Sequence, residues 1–195
     1  MRFKEMLITL AVPAFNHERF VKQALDSILD SGLEQLELIV RDDASSDATP
    51  AIIRAWGEEH SHKLAHFTFL ESAVNQGLCH SLNEMVSSAR GEIIHVLCSD
   101  DYFLPGGLAA KTRAMQENPG GDCAISAGQG VGPDGELYLL SLLAGGRINP
   151  ERLTESLMAE ELVYHWDVPA NLQSWRRRVF KAHGGYLDFD TTVFC

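Results

Sequence analysis

Apolar residues fall along this chain in two alternating patterns. Short unbroken runs at Leu7 to Val12, Leu36 to Val40, Phe67 to Leu70 and Ile93 to Leu97 read as buried strands. Between them the apolar spacing changes to three and four. Phe20, Val21, Ala24, Leu25, Ile28 and Leu29 mark a first helix, which Gly32 stops. Ile52, Ile53 and Trp56 mark a second, with Ser46, Asp47 or Thr49 as its cap and Pro50 near its first turn. Leu78, Leu82, Met85, Val86 and Ala89 mark a third, terminated by Gly91, and a fourth is expected from about Gly107 to Gln116. Four successive strand–helix units predict an α/β fold whose mostly parallel sheet is covered on both faces.

After Gly120 the pattern changes. Cys123 to Val131 and Glu136 to Leu142 flank the turn signal Pro133-Asp134-Gly135, which predicts a hairpin or an antiparallel excursion. Asn149-Pro150 opens a further helix toward Ala159. Gly130 to Gly135 satisfies the spelling of a dinucleotide-binding glycine loop. That loop must open a helix, however, and here a strand-like Leu137-Tyr138-Leu139-Leu140 follows. No linker divides the chain, so residues 1–195 read as one domain, with strand–helix units in 1–118 and a second portion in 119–195.

Composition narrows the classes. With 195 residues, 45% hydrophobic and 22% charged, the chain is an ordinary globular domain. A net charge of −11 makes it a poor nucleic-acid binder. The one basic run, Arg176-Arg177-Arg178, reads as a solvated face or a small patch for phosphate or lipid headgroups. The longest mainly apolar run, Leu137 to Ala144, is too short to span a bilayer, and no signal cleavage site follows the N-terminus. Cys79, Cys98, Cys123 and Cys195 form no C-x-x-C pair, which predicts free thiols in a reducing cytoplasm.

The chemistry-bearing residues sit directly after strands. Pro13-Ala14-Phe15-Asn16 follows the first, Asp42-Asp43 the second and Ser99-Asp100-Asp101 the fourth. Ligands of open α/β sheets bind outside the carboxyl ends of the strands, so the three clusters are expected to converge. Asp43 or Asp47 alone also suits a helix cap or an Asx turn. The adjacent Asp100 and Asp101 repel one another unless a cation joins them, and Mg²⁺ with a phosphate substrate fits such a pair; two exposed loop acids is the plainer reading. Of the histidines, His17, His80 and His165 are open as bases or ligands. His95 reads as a hydrogen-bonded core residue, and His62 and His66 as a solvated loop. Trp166 and Trp175 suit either a sugar platform or packing.

In order along the chain, Leu10 to Glu18, Leu38 to Asp47, Asn75-Gln76-Gly77-Leu78 with Asn83, and Arg90 to Ile94 resemble the family-2 glycosyltransferases of GT-A fold. So do Ser99-Asp100-Asp101, Asp134-Gly135, Arg178-Val179-Phe180 and Gly184-Gly185-Tyr186. The resemblance implies a Rossmann-like nucleotide-binding portion in 1–118 and the start of an acceptor-side portion in 119–195. It implies metal-dependent, inverting transfer from a nucleoside-diphosphate sugar, UDP-linked by first expectation, to a saccharide or lipid-linked acceptor, in polysaccharide, cell-wall or glycolipid synthesis. Pro13, Phe15 and Asn16 would border the base, with Phe15 stacking on it. Asp43 would accept a hydrogen bond from the base with Asp42 in support, and Asn75 and Gly77 would sit beside the nucleotide. Asp100 would lie near the ribose or the metal, and Asp101 would be the principal ligand of Mn²⁺ or Mg²⁺. A cytoplasmic enzyme, with room for peripheral contact at the inner face of a membrane, follows from the same resemblance. Ser99 replaces the first acid of the family's D-x-D. The family's Glu-Asp base motif would begin after Cys195, which leaves Asp188 and Asp190 as the local carboxylates and predicts a nucleotide-sugar-binding fragment without turnover as the alternative. A nucleotidyltransferase would use similar acids, but no glycine- and lysine-rich phosphate loop follows the first strand.

Overall fold

The structure is a computed structural model that describes residues 6–132, 135–139 and 170–186. Strands β1 (Ile8–Ala14), β2 (Leu36–Asp42), β3 (His66–Glu71) and β4 (Ile93–Val96) alternate with helices α1 (Val21–Leu29), α2 (Thr49–His60), α3 (Leu78–Ser88) and α4 (Gly107–Glu117). Beyond them come β5 (Cys123–Ile125), β6 (Gly130–Val131), β7 (Leu137–Leu139), β8 (Gln173–Arg176) and α5 (Arg177–His183). The main sheet has the order β3-β2-β1-β4-β8-β5. Its first four strands are parallel, and β8 runs antiparallel to both β4 and β5.

The strands are mainly apolar because helices cover both faces. Leu10, Val12, Leu38, Val40 and Ile93 pack with Val21, Leu25, Ile28, Ile53 and Trp56 on one side. Ala11, Ile39, Ile94 and Val96 pack with Leu82, Met85 and Val86 on the other. β1 runs through Pro13 to Ala14, beyond the strand end expected at Val12. Pro13 is tolerated inside this central strand because its nitrogen faces the β4 side, where β4 has already ended opposite Ala11.

Three expectations change on folding. Gly91 does not cap α3, which closes at Ala89. A Cβ on Gly91 would lie 2.5 Å from the Thr9 nitrogen, so glycine is required by the close approach of the α3–β4 turn to β1. The antiparallel excursion expected after Gly120 is present, but Cys123–Ile125 joins the main sheet through β8, and among the described residues the hairpin is made by β6 and β7. The arginine run is not one solvated face. Arg176 is buried and donates to the carbonyls of Met115, Asn118 and Gly121, so it closes the C-terminal end of α4, while Arg178 pairs with Asp122. The helix expected after Asn149, and Asp134, Trp166, His165, Asp188, Asp190 and Cys195, lie outside the described residues.

His95 is fully buried in β4, hydrogen-bonded to Ser174 Oγ at 2.7 Å and to Thr112 Oγ1 at 3.0 Å. Burial, then the charge of Lys111, pushes its pKa down to about 3. Folding therefore selects the neutral imidazole. That contribution to stability is complete above the free value of about 6.5 and is lost progressively as pH falls below it. Urea melts between pH 7 and 4.5 should show falling stability, and His95→Gln should flatten that slope. An equal slope in the variant would show that other groups cause it.

Candidate active site

Strand order reverses between β1 and β4, since the chain winds outward from β1 through β2 and β3 on one side and through β4 on the other. The crevice at such a reversal, outside the carboxyl ends of the strands, is where α/β sheets bind ligands. Here the loop after β1 meets the loop after β4. His17 Nδ1 and Ser99 Oγ are hydrogen-bonded at 2.8 Å, and His17 Nε2 lies 3.8 Å from Asp100 Oδ2. His17, one of the open histidines, is thus the direct link between the two loops.

The loops after β1 and β2 are clipped together as well. The Asn16 N–H donates to Ser45 Oγ at 2.8 Å, and Asn16 Oδ1 accepts from the Ser46 N–H at 2.8 Å. Asp42 closes the β2 loop, accepting from the Ser45 N–H and hydroxyl. Both loops hold a non-glycine residue at positive φ, Asn16 at 54° and Ala44 at 64°, a conformation that their cross-links must support. Asp47 accepts the Thr49 N–H at the start of α2, and Glu18 Oε2 accepts that of Ala48. The structure therefore assigns helix-end contacts to Asp47 and loop closure to Asp42. Phe15 stands beside this clip with 42% of its surface exposed, while Pro13 is buried within β1.

Asp43 is only 5% exposed. Its Oδ1 accepts from Arg41 NH1 at 2.7 Å and from the Gln76 N–H at 3.0 Å, and its Oδ2 accepts the Gly77 N–H at 2.7 Å. Burial alone would raise its pKa, but the Arg41 guanidinium and the two amides hold it below the usual carboxylate range. Gly77 has φ +87°, which suits glycine, and its N–H also donates to Asn75 Oδ1. Asn75 and Gly77 are thereby fixed to the end of β2, with Asp43 as their anchor. Arg41 itself also reaches Ser81, Gln76 and Glu84. A charged residue directly after the apolar run of β2 was the signal for this cluster, and sequence reasoning missed it.

The acidic pair follows β4. Ligand atoms of Cys98, Asp100 and Asp101 all lie within 4.8 Å of one another. Asp100 is exposed and Asp101 half-buried. Burial, then the charge of Asp100, pushes the Asp101 carboxyl up, against a hydrogen bond from Asn171 Nδ2 at 2.6 Å. Burial and the same two acids push the Cys98 thiol to about 12, so it stays protonated. Asn171 carried no strong signal, because it meets Asp101 from 70 positions further along the chain. Trp175 packs edge-on to Phe180, which places it in the α5 side of the core rather than at this crevice.

The family model for glycosyl transferase family 2 matches residues 9–183. The chain is 27% identical to the chondroitin synthase of Pasteurella multocida (strain Pm70) over 161 residues, which is 82% of this chain and 16% of that protein. Among solved structures, a mannosyltransferase from Pyrobaculum calidifontis, in complex with GDP-Man and Mn²⁺, superposes with a TM-score of 0.68 at 22% identity, covering 93% of this chain and 48% of that one. Residues 1–349 of S. aureus TarS, in complex with UDP-GlcNAc, give 0.67 at 20% identity, covering 94% and 49%. The chain thus spans about half the length of these structures and far less of the synthase. With the family pattern running from β1 to the end of α5, on the GT-A fold that these structures share, the chain belongs to glycosyl transferase family 2.

Proposed function

We propose that this domain binds a nucleoside-diphosphate sugar with a divalent cation and transfers the sugar, with inversion, to an acceptor hydroxyl. The observation that carries the reading is the convergence of three strand-end loops on the β1–β4 reversal, with an acidic pair on one side and an exposed aromatic ring on the other. Phe15 offers its face to the base. Pro13 and Asn16 border that position, and Asp43 holds Asn75 and Gly77 at its edge, since its own oxygens are already engaged. UDP and GDP both remain in view as the carrier, because the two solved structures hold one of each.

Asp101 and Asp100 fit a hard cation. Their oxygens lie close together, their mutual repulsion is unrelieved by any arginine or lysine that pairs with them among the described residues, and the neighbouring Asn171 Oδ1 is a buried acceptor without a donor. Mn²⁺ or Mg²⁺ held there would neutralise charge on the departing diphosphate. The residues themselves bind and orient. Phe15 and the Asp43 anchor set where the base lies, and His17 with Ser99 keeps the β1 and β4 loops at a fixed separation. An in-line attack also requires a base for the acceptor hydroxyl, for which Asp188 and Asp190 are the carboxylates nearest in sequence after the glycine pair. The likeness to a chondroitin synthase supports a saccharide acceptor in polysaccharide assembly; a lipid-linked acceptor is the second class to test. Among the described residues no helix is long and apolar enough to cross a membrane.

Thermal denaturation with UDP or GDP in the presence of Mn²⁺ tests the donor site. At a hundredfold excess over Kd, binding adds ~2.7 kcal/mol, or about 5–10 °C in Tm for a chain of this size. EDTA should abolish the shift. A Tm indifferent to every nucleotide and nucleotide sugar would sink the reading.

A further inference from the structure

Buried polar atoms in folded proteins almost always find partners, so each exception calls for a cause. Among the described residues two side-chain atoms are buried without one, Asn171 Oδ1 and Tyr186 Oη. The first lies at the acidic pair. Asn171 Nδ2 donates to Asp101 Oδ2 at 2.6 Å, and the reversed amide would set oxygen against carboxylate. The amide orientation is therefore fixed by charge, and Oδ1 is left as an acceptor. An unpartnered acceptor beside two carboxylates suits a cation, or a donor such as water held by one.

The backbone around Asn171 is built to keep it there. It lies in a short 3-10 turn, Ala170–Leu172, that leads directly into β8. Lys111 of α4 reaches across and donates to the Asn171 carbonyl at 2.8 Å and to the Gln173 carbonyl at 3.4 Å. The Lys111 side chain is buried, and both of these contacts are to main chain. A buried lysine is costly unless its charge is well solvated by such carbonyls, which ties α4 firmly to this turn. β8 then holds the turn against β4 through Ser174 opposite His95.

We infer that Asn171 is the positioning residue of the cation site: its Nδ2 fixes the Asp101 carboxylate, and its Oδ1 presents a neutral oxygen to the cation or the cation's water. This rests on the cation reading of Asp100 and Asp101 above. Residues that orient a ligand typically change metal affinity by about 10–100-fold when removed. An asparagine suits the position better than an acid would. A third carboxylate would add repulsion to a pair already strained by its own, whereas the amide both relieves Asp101 and offers an oxygen.

The test is Mn²⁺ binding to the full chain, read from the electron paramagnetic resonance signal of free Mn²⁺, with no nucleotide and no turnover involved. Asn171→Ala should weaken Mn²⁺ binding about tenfold or more. Should that variant fail to fold, Asn171→Asp serves instead. It sets a third carboxylate against Asp101, so it should melt below the parent in EDTA and gain more than the parent from added Mn²⁺. Parent-like affinity in folded Asn171→Ala, or a parent-like Mn²⁺ increment in Asn171→Asp, overturns the role of Asn171 and leaves the cation reading standing. A parent chain that binds no Mn²⁺ overturns both.

Discussion

Arg41→Met is expected to destabilise the domain by about 3–5 kcal/mol, enough to leave it largely unfolded at 37 °C if its total stability is ordinary. The side chain of Arg41 is 2% exposed, and its guanidinium meets Asp43, Ser81, Gln76 and Glu84 at once. Methionine fills similar volume but leaves Asp43 as a buried carboxylate, supported only by two backbone amides. Glu84 is partly exposed and can turn to water, so most of the loss should come through Asp43. Arg41→Lys should recover little, because one ammonium cannot replace a planar fork that serves four partners. Adding Asp43→Asn to Arg41→Met removes the stranded charge, and the double variant should regain part of the loss. Urea denaturation of the parent, Arg41→Met, Asp43→Asn and the double variant gives the coupling directly. A loss below about 1 kcal/mol in Arg41→Met would mean that the cluster is solvated in a way its burial does not indicate.

The strand–helix units up to Glu117 were legible because a sheet covered on both faces requires uninterrupted apolar strands, and little else produces four such runs with helical spacing between them. The placement of the acids was legible for a related reason. In a parallel sheet every strand ends at the same edge, so Asp42, Asp43, Asp100 and Asp101 had to gather there. β8 was not legible. Gln173-Ser174-Trp175-Arg176 is short and largely polar, and within the sheet Ser174 satisfies His95 while Arg176 satisfies the end of α4. Its arginine belongs to a run that spells a surface patch. Nothing local distinguishes Arg176, which is buried, from Arg178, which pairs with an exposed acid.

The site residues that escaped detection escaped for that same reason of distance. Asn171 acquires its place from Asp101, and His17, which stood open as a base or ligand, acquires its linking role from Ser99; the packing role of Gly91 against Thr9 is hidden in the same way, by contacts separated by many tens of positions. Arg41 is the exception. Its place two residues before Asp43, directly after Leu38-Ile39-Val40, was visible as a charge that burial would force to find partners.

Asp101→Asn is expected to give the largest functional effect, with a signature that a structural role would not produce. Asparagine keeps the shape of the side chain and an oxygen able to accept from Asn171 Nδ2. It removes the charge that burial and Asp100 already disfavour, so the variant should melt no lower than the parent in EDTA. The sign follows from linkage: a carboxyl pushed up on folding is destabilising once ionised, and a neutral replacement escapes that cost at neutral pH. With Mn²⁺ and a nucleoside-diphosphate sugar the order should reverse, the parent gaining stability and the variant gaining little. On the proposed role of Asp101 as the cation's ligand, its loss would remove several kcal/mol of stabilisation from charge developing on the diphosphate, and sugar release or transfer should fall by about a thousandfold. Asp100→Asn, at the exposed partner, should cost less, since Asp101 retains its bond from Asn171. Calorimetry of donor binding with Mn²⁺, beside melts with and without metal, reads both halves of the prediction. An Asp101→Asn variant that binds donor like the parent would place the cation elsewhere, and one that melts well below the parent in EDTA would make Asp101 a structural residue.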